Sequence, residues 1–326
     1  MTEIASLDPA AVEAGFEQHR IELTAYCYRM LGSAFEAEDA VQETLVRAWR
    51  GFDRFEGRAA VRSWLYRIAS NVCFDMLKGR RRRALPMDIM AVGRADGPVA
   101  EPVSERTWIG PVPDGRVLSG GGDPAEEAET RESVRLAFVA ALQHLPPRQR
   151  AVLILREVLR WRADEVAELL DTTVVSVNSA LQRARSTLAE RDLGGSTVSR
   201  PIDDEQQELL ARYVDAFVRF DIDSLVKLLH DDAVMSMPPY PMWLRGADEL
   251  GRWLQGPGSE CRGSRLAVVA ANGAPAFAQW RAHPDGGFYA WAIHVLRLSG
   301  GRIAGIDFFV DPNLFPLFGQ PVRIDR

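Results

Sequence analysis

The sequence has few cysteines, no long apolar run and no leader-like N-terminus. Cys27, Cys73 and Cys261 are far apart and have no His or Cys neighbours at ligand spacing, which argues against a zinc site and a disulfide framework. No stretch of eighteen apolar residues is present, and the first fifteen residues lack a basic region followed by an apolar one. We therefore expect idle thiols, no bound metal, no membrane span, no signal peptide and a cytoplasmic protein.

Acidic residues outnumber basic ones slightly, but basic residues are concentrated in one segment. The formal net charge is −6, yet residues 57–83 hold eight Lys and Arg against one acidic residue, Asp75. Residues 84–130 have the opposite balance, with three basic and nine acidic residues. The basic segment is a local electrostatic footprint for a polyanion, which the charge of the whole chain conceals.

The residue pattern divides the chain into helical segments, linkers and a final mixed segment. A chain of 326 residues is long enough for two or three domains. The predicted boundaries are an all-α domain at 1–83, an acidic Pro/Gly-rich linker at 84–130, a second all-α domain at 131–195, a hinge at 196–203 and a domain at 204–326. The apolar island at 108–111 indicates an anchoring contact within the linker, which cannot bury enough apolar surface to fold alone.

The last of these domains changes from helical to strand patterns along its length. The pattern predicts helices at 205–219, 222–230 and 246–254, and strands at 234–239, 264–271, 275–283, 287–299 and 302–311. Helices followed by a run of strands indicate an α+β domain. The predicted fold class is therefore multidomain, with two all-α domains and a C-terminal α+β domain.

Residues 163–188 have the pattern of a helix-turn-helix. Apolar residues recur at helical spacing on both sides of a short polar turn at 171–173, and Thr173 is a plausible N-cap for the second helix. The outward face of that helix offers amide, hydroxyl and guanidinium groups, which can contact base edges and phosphates in the major groove. These residues are Asn178, Ser179, Gln182, Arg183 and Arg185. An ordinary helical hairpin with solvated arginines is the alternative.

A second stretch, residues 58–83, is suited to holding an exposed nucleic-acid strand. Arg67, Asn71 and Asp75 fall at i, i+4 and i+8 and so line one face of a helix, which is followed by four arginines. Arginines could meet phosphates while the polar face meets splayed bases. The alternative is that the arginine run is a solvated C-terminal cap favoured by the helix dipole.

Three blocks in this order resemble an extracytoplasmic-function (ECF) sigma factor of the sigma-70 family. They are DAVQETLVRAWRGFDRF, then SWLYRIASNVCFDMLKGRRRR, then LPPRQRAVLILREVLRWRADEVAELLDTTVVSVNSALQRAR. The resemblance covers residues 16–83 and 131–190 and implies region 2 followed by region 4. It further implies binding to core RNA polymerase through the beta and beta-prime subunits, promoter recognition and promoter melting. In that family an acidic linker threads the polymerase cleft, and its charge could mimic nucleic acid there.

The resemblance assigns roles to matched positions. It implies polymerase docking by Asp39, Gln42 and Glu43. It implies contact with the single-stranded −10 element by Arg58, Arg62, Trp64, Arg67, Asn71 and Asp75, with the loop at 57–63 taking up a flipped base. It implies −35 reading by Ser176, Asn178, Ser179, Gln182, Arg183 and Arg185. At the −10 positions, many relatives have Asn where this chain has Asp75. At the −35 positions, many relatives have Arg where this chain has Asn178 and Ala180, so the usual −35 sequence does not carry over to this chain by resemblance.

Residues 204–312 resemble a SnoaL-like domain, a curved sheet and helices around a cone-shaped pocket. The matching segments include YVDAFVRFDIDSLVKLLHDDAVMSMPP, HVLRL and GGRIAGIDFFVDP. In related sigma factors such an extension is thought to replace a separate anti-sigma protein by contacting the sigma domains. Candidate pocket residues are Tyr213, Met237, Trp243, His294 and Asp307, each of which could instead be a core or rim residue.

These patterns lead to one main hypothesis and one alternative. We expect a non-enzymatic sigma factor without a cofactor, regulated in cis by the C-terminal domain, which could take a small hydrophobic ligand. The alternative is a SnoaL-type enzyme or ligand-binding domain tethered to a DNA-binding transcription regulator.

Overall fold

The helical and sheet segments belong to two compact units. The computed structural model describes residues 15–55, 60–119, 123–189 and 203–325. The chain passes from the first unit to the second between Arg83 and Ala84, and back between Asp114 and Gly115. We call the first the helical unit, and the second, which contains residues 84–114 and the C-terminal segment, the sheet unit. No helix in the described ranges is both long and apolar enough to cross a membrane.

The α-helices of the helical unit fall into two groups. The first group is α1 (Arg20–Leu31), α2 (Ala34–Gly51) and α3 (Val61–Leu77). The sheet unit contributes a short α4 (Pro86–Ile89) before the chain returns. The second group is α5 (Asp114–Val117), α6 (Pro124–Glu132), α7 (Leu136–Gln143), α8 (Pro147–Leu153), α9 (Ala163–Leu169) and α10 (Val174–Ala189), of which α5 begins at the boundary residue.

The predicted helix-turn-helix is confirmed as α9 and α10. Asp171 adopts φ +50°, which ends the first helix and turns the chain. The Thr173 hydroxyl accepts a hydrogen bond from the Ser176 amide at 3.2 Å, so Thr173 is the N-cap that the sequence predicted. Val177 and Leu181 of α10 are buried, and the polar residues between them are left on the outer face.

The sheet unit is built on one mixed sheet with strand order β2-β1-β6-β5-β4-β3, and β7 pairs with β5. The pairs are antiparallel except β1 with β6, which is parallel. The strands are β1 (Leu229–Ser236), β2 (Trp243–Arg245), β3 (Arg265–Ala271), β4 (Ala274–Ala282), β5 (Phe288–Ser299), β6 (Arg302–Phe309) and β7 (Arg323–Ile324). The helices are α11 (Asp204–Arg219), α12 (Ile222–Val226), α13 (Ala247–Gln255) and α14 (Leu314–Leu317).

The α+β prediction for this segment is confirmed, with differences at the helix-to-strand junction. The predicted second helix ends at Val226, four residues early, and β1 begins at Leu229. The apolar run there suits a helix and a buried strand equally, and only pairing with β6 selects the strand. The three-residue β2 was not predicted because it is too short to show an alternation.

Residues 84–114 form an ordered strap, which we call the linker strap, rather than the extended linker expected from composition. Its first residue, Ala84, pairs with Trp108 in a parallel bridge. The Ala84 amide donates to the Thr107 carbonyl at 2.9 Å, and the Ile109 amide donates to the Ala84 carbonyl at 3.1 Å. Regular structure in this segment is limited to short helical turns at Pro86–Ile89 and Glu105–Thr107, and much of the remaining backbone bonds to the C-terminal segment.

Hydrogen bonds at several points join the linker strap to the C-terminal part of the sheet unit. The Trp243 indole donates to the Met90 carbonyl at 2.8 Å, and the Gly93 amide donates to the Trp243 carbonyl at 2.8 Å. The Trp108 indole and the Val103 amide each donate to the Pro239 carbonyl at 3.0 Å. Trp108 is buried, which fits the anchoring contact predicted for residues 108–111.

The far end of the strap is fixed to the β3–β4 turn. The Val112 amide donates to the Asn272 side-chain oxygen at 3.0 Å, and the Asn272 amide donates back to the Val112 carbonyl at 3.0 Å. The Gly273 amide donates to the Asp114 carboxylate at 2.7 Å. The strap is therefore a structural part of the sheet unit.

Candidate nucleic-acid and polymerase interface

One face of α2 is exposed and carries the three residues expected to dock on polymerase. Asp39, Gln42 and Glu43 are all exposed, and Glu43 forms an ion pair with Arg47 at 2.6 Å. Ala37, Ala40, Val41, Thr44 and Ala48 are buried on the opposite face. The helix therefore presents these polar groups to solvent, where a partner could reach them.

The same exposed face of α2 carries apolar side chains that sequence reasoning missed. Phe35, Val46 and Trp49 are exposed, Trp49 to 49%. With Asp39 and Gln42 they follow the i, i+4, i+7, i+11, i+14 spacing of one helix face. Exposed aromatic residues within a polar rim are typical of protein interfaces. The sequence did contain a signal for their exposure, because helical spacing places these apolar residues opposite the alanine-rich face of α2.

Arg67, Asn71 and Asp75 lie exposed along one face of α3, as their spacing predicted. Asp75 forms ion pairs with Lys78 at 2.7 Å and with Arg47 of α2 at 3.6 Å. The Lys78 hydrogen bond and charge lower the pKa of the Asp75 carboxyl, which is therefore ionised at neutral pH. A negative charge therefore lies near the C-terminal end of the exposed α3 face that carries Arg67 and Asn71.

The remaining predicted −10 residues are placed differently. Arg62 forms an ion pair with Glu22 of α1 at 2.6 Å, and its guanidinium lies over the Tyr66 and Trp161 rings at 5.3 Å. Trp64 is half-buried and packs against Phe55 with ring centroids 4.9 Å apart. Arg58 and residues 57–59 of the predicted base-pocketing loop lie outside the described residues.

The face of α3 that carries Arg67 meets the second helical group. The Arg67 guanidinium donates to the backbone carbonyl of Glu168 on α9 at 2.6 Å. The Tyr66 and Trp161 rings are in contact, with centroids 5.1 Å apart. Arg67 is therefore engaged by protein at a position where the resemblance expects DNA.

A buried arginine also joins the two helical groups. Arg29 of α1 donates to the Ser133 hydroxyl at 2.6 Å and to the Ser133 carbonyl at 3.2 Å. Burial lowers the pKa of Arg29 to about 10, which leaves it charged at neutral pH. Arg150 of α8 donates to the Met30 carbonyl and to the Gln143 side chain at 2.7 Å.

The arginine run after α3 is only partly available to a nucleic acid. Arg80 and Arg83 both form ion pairs with Glu36, at 2.6 and 3.0 Å, and Arg82 donates to His144 at 2.9 Å. Much of this run therefore serves contacts within the helical unit, which differs both from a free nucleic-acid surface and from the solvated helix cap raised as the alternative.

The outer face of α10 carries the predicted −35 residues. Ser176, Asn178, Gln182, Arg183 and Arg185 are exposed. Ser179 is half-buried beside them, and Arg185 forms an ion pair with Glu157 at 2.6 Å. Val175, which was not predicted as a site residue, is 75% exposed on the same face.

In the sheet unit, Tyr213 and His294 meet in the core as part of a buried hydrogen-bond chain. The Tyr213 hydroxyl lies 3.0 Å from His294 Nδ1, and His294 Nε2 lies 2.8 Å from Gln279 Oε1. Gln279 in turn donates to the Ser264 hydroxyl at 2.8 Å. Burial lowers the pKa of His294 to about 3 and raises the pKa of Tyr213, so both are neutral at pH 7.

The core around these residues is filled. The cavity beside Tyr213 is lined by Phe217, Leu225, Leu229, Met235, Leu250, Leu254, Ile306 and Phe308, and it has room for about one water molecule. A steroid-sized ligand does not fit without rearrangement of this core. The buried chain therefore acts as a satisfied polar core.

The other three pocket candidates do not line this cavity. Met237 is buried in the apolar core, and Trp243 binds the linker strap. Asp307 lies between Ile306 and Phe308 in β6, so it points to the opposite face of the sheet. There it accepts a hydrogen bond from the Ser236 hydroxyl at 2.6 Å.

Comparison with known families supports the division seen in the fold. Residues 16–83 match the model of sigma-70 region 2, residues 135–188 match that of sigma-70 region 4, and residues 210–306 match that of the SnoaL-like domain. The fold as a whole resembles the crystal structure of the Mycobacterium tuberculosis ECF sigma factor SigJ. The TM-score is 0.58 at 23% identity, with 97% of this chain and 100% of that chain covered.

Sequence similarity to curated proteins is higher. The chain is 46% identical to the ECF RNA polymerase sigma factor SigG of M. tuberculosis over 311 residues, which cover 94% of this chain and 82% of that protein. It is 27% identical to SigJ of the same organism over 249 residues, or 74% and 71% of the two chains. Sigma factors act by binding core RNA polymerase and promoter DNA and are not enzymes. This chain, with regions 2 and 4 followed by a SnoaL-like domain, belongs to the ECF sigma factors.

Proposed function

We propose that this sigma factor reads the −10 element with α3 and the −35 element with α10, and that its SnoaL-like domain inhibits it in cis by holding the linker strap. The observation that carries the proposal is the folding of residues 84–114 onto the sheet unit. In the primary structure this segment separates the two promoter-reading domains. A segment bound along one domain cannot at the same time extend between two others.

The bridge between Ala84 and Trp108 shortens the distance that the linker between regions 2 and 4 can span. Because these residues are paired, the chain between them contributes nothing to the reach of the linker. An extended chain spans about 3.3–3.6 Å per residue, so the bridge removes about 80 Å of potential linker. Regions 2 and 4 must contact two separate promoter elements, and release of the strap would restore the reach they need.

Contacts inside the helical unit support the same proposal. Arg67, a proposed −10 residue, is bonded to the Glu168 carbonyl, and Arg29 links α1 to Ser133. The Arg67 guanidinium group that donates to the Glu168 carbonyl of α9 cannot contact the −10 strand in the same geometry. We therefore propose that promoter binding requires the strap to be released and α9 to move away from α3.

The test is run-off transcription with bacterial core polymerase and limiting amounts of the full-length protein. Trp108→Ala removes a buried indole and its bond to the Pro239 carbonyl, which weakens the strap without altering any proposed DNA contact. We expect several-fold more transcript than from the unaltered protein. Val99→Ala changes an exposed residue of the same strap and is the matched control. Reduced transcription from Trp108→Ala, with the sheet unit still folded, would mean that the domain assists the sigma factor.

A further inference from the structure

An exposed valine lies near the start of the proposed −35 reading helix. Val175 is the second residue of α10 and is 75% exposed. Among the exposed large apolar side chains of the described residues, only Val268 of β3 is more exposed, at 78%. A single exposed valine is common on protein surfaces, so the informative feature is the position of Val175 on α10.

Val175 lies at the centre of the outer face of α10. At 100° per residue, Ser179 and Gln182 fall within about 40° of Val175 around the helix axis. Val177, Leu181 and Ala184 are buried on the opposite side. In a helix-turn-helix the N-terminal residues of the second helix approach the base edges. Val175 therefore lies on the surface that faces the major groove when α10 binds DNA.

The chemistry of valine restricts what it can recognise there. Its neighbours Asn178, Ser179 and Gln182 can form hydrogen bonds to base edges, whereas valine has no hydrogen-bonding group. The apolar group that the bases display in the major groove is the C5-methyl of thymine. We infer that Val175 is a specificity-determining residue that selects thymine, on either strand, at one position of the −35 element. This inference rests on the proposed −35 role of α10 and deepens it.

The first experiment identifies the base pair concerned. Holoenzyme assembled from the full-length protein and core polymerase selects bound fragments from randomised double-stranded DNA, and the selection is repeated with Val175→Ala. We expect the same motif except at one −35 position, where the preference for thymine falls about fourfold, the equivalent of one buried methyl group. Val268→Ala makes the same change at an equally exposed valine outside α10, and we expect it to select the original motif.

The second experiment removes the methyl group from the DNA instead of from the protein. Deoxyuridine in place of the selected thymine lacks only the C5-methyl group. We expect it to weaken promoter binding about fourfold with the unaltered protein and to have no effect with Val175→Ala. Equal responses of the two proteins, or an unchanged thymine preference in Val175→Ala, would overturn the inference.

A further variant separates failure of this inference from failure of the proposed function. If Asn178→Ala changes the selected −35 sequence while Val175→Ala does not, α10 reads the −35 element without help from Val175. If the unaltered holoenzyme selects a −10 motif but no −35 motif, that result refutes both the proposed role of α10 and the inference about Val175.

Discussion

His294 is a single residue whose burial gives the protein a testable pH dependence. It is fully buried, forms hydrogen bonds with Tyr213 and Gln279, and contacts the Phe217 and Phe308 rings. Burial lowers its pKa to about 3, whereas an unfolded histidine has a pKa of about 6.5. Tyr213 does not titrate in the acidic range, and burial raises its pKa further above that range.

We expect the sheet unit to lose stability as the pH falls below 6.5. The unfolded chain then binds a proton that the folded chain excludes, so the stability from neutral His294 is complete above pH 6.5 and declines toward pH 3. At pH 5.5 the loss from this residue is about 1.4 kcal/mol. Urea unfolding at pH 7.5 and 5.5 measures it. His294→Gln can keep hydrogen bonds to both neighbours but cannot titrate, and an equally large pH effect in that variant would refute the assignment.

Two neighbouring helices, α2 and α3, present surfaces of different character. The α2 face combines Phe35, Val46 and Trp49 with acidic and amide groups, whereas the α3 face carries Arg67, Asn71 and Asp75. An apolar centre within a polar rim suits a protein partner, and a polar face suits splayed bases. Substitutions on the two helices should therefore impair different functions.

We expect Trp49→Ala to weaken binding to core polymerase and Asn71→Ala to leave it intact. Loss of a central interface tryptophan costs about 2 kcal/mol, or about a thirtyfold rise in Kd. Asn71→Ala should instead reduce promoter opening by the assembled holoenzyme, because it removes a proposed base contact. Competitive binding to core polymerase and run-off transcription separate the two effects. Equal weakening of polymerase binding by both variants would contradict the division of roles.

For the helical unit as a whole, buried polar contacts join the two sigma regions. Arg29 is fully buried and bonded to Ser133, and burial lowers its pKa without removing its charge at neutral pH. Arg29→Glu would place a carboxylate against the Ser133 carbonyl in a desolvated site, which costs several kcal/mol. We expect the two regions to separate while each keeps its helices.

Small-angle X-ray scattering and circular dichroism test this expectation together. The radius of gyration should rise with little change in helix content, and transcription at limiting concentrations should increase if the closed arrangement is inhibitory. Arg20→Glu alters a partly exposed arginine of the same helix and is the matched control. Loss of helical signal in Arg29→Glu would show that Arg29 stabilises the fold of region 2 itself.

Much of the fold could be predicted because its determinants are local in sequence. The helix-turn-helix, its Thr173 cap and most C-terminal helices and strands follow from apolar spacing and from turn residues that act within a few positions. The face shared by Arg67, Asn71 and Asp75 follows from helical geometry alone. The order of the sheet and the pairing of β1 with β6 could not be derived this way, because partners far apart in sequence select them.

The placement of site side chains could be predicted where helical spacing alone puts a residue on the exposed face of its helix. Arg67, Asn178 and Gln182 are exposed as expected, but Trp243 binds a carbonyl in the linker strap and Asp307 lies on the other face of the sheet from His294. Phe35, Val46 and Trp49 were overlooked because apolar residues on an amphipathic helix are ordinarily assigned to its core. The roles of these residues in binding promoter and polymerase stay predictions.

The amino-acid pattern was sufficient for the faces of the helices, because periodicity, capping and charge act over short distances. The identity of the domains came from the resemblance of three sequence blocks and the C-terminal segment to known families. The ordered conformation of residues 84–114, by contrast, is decided by tertiary structure. Their composition shows that they cannot form a core alone, but their bonds run to Pro239, Trp243 and Asn272, more than a hundred positions along the chain. Likewise, the filled core around Tyr213 and His294 results from side chains that converge from separate elements, a convergence that no local spacing encodes.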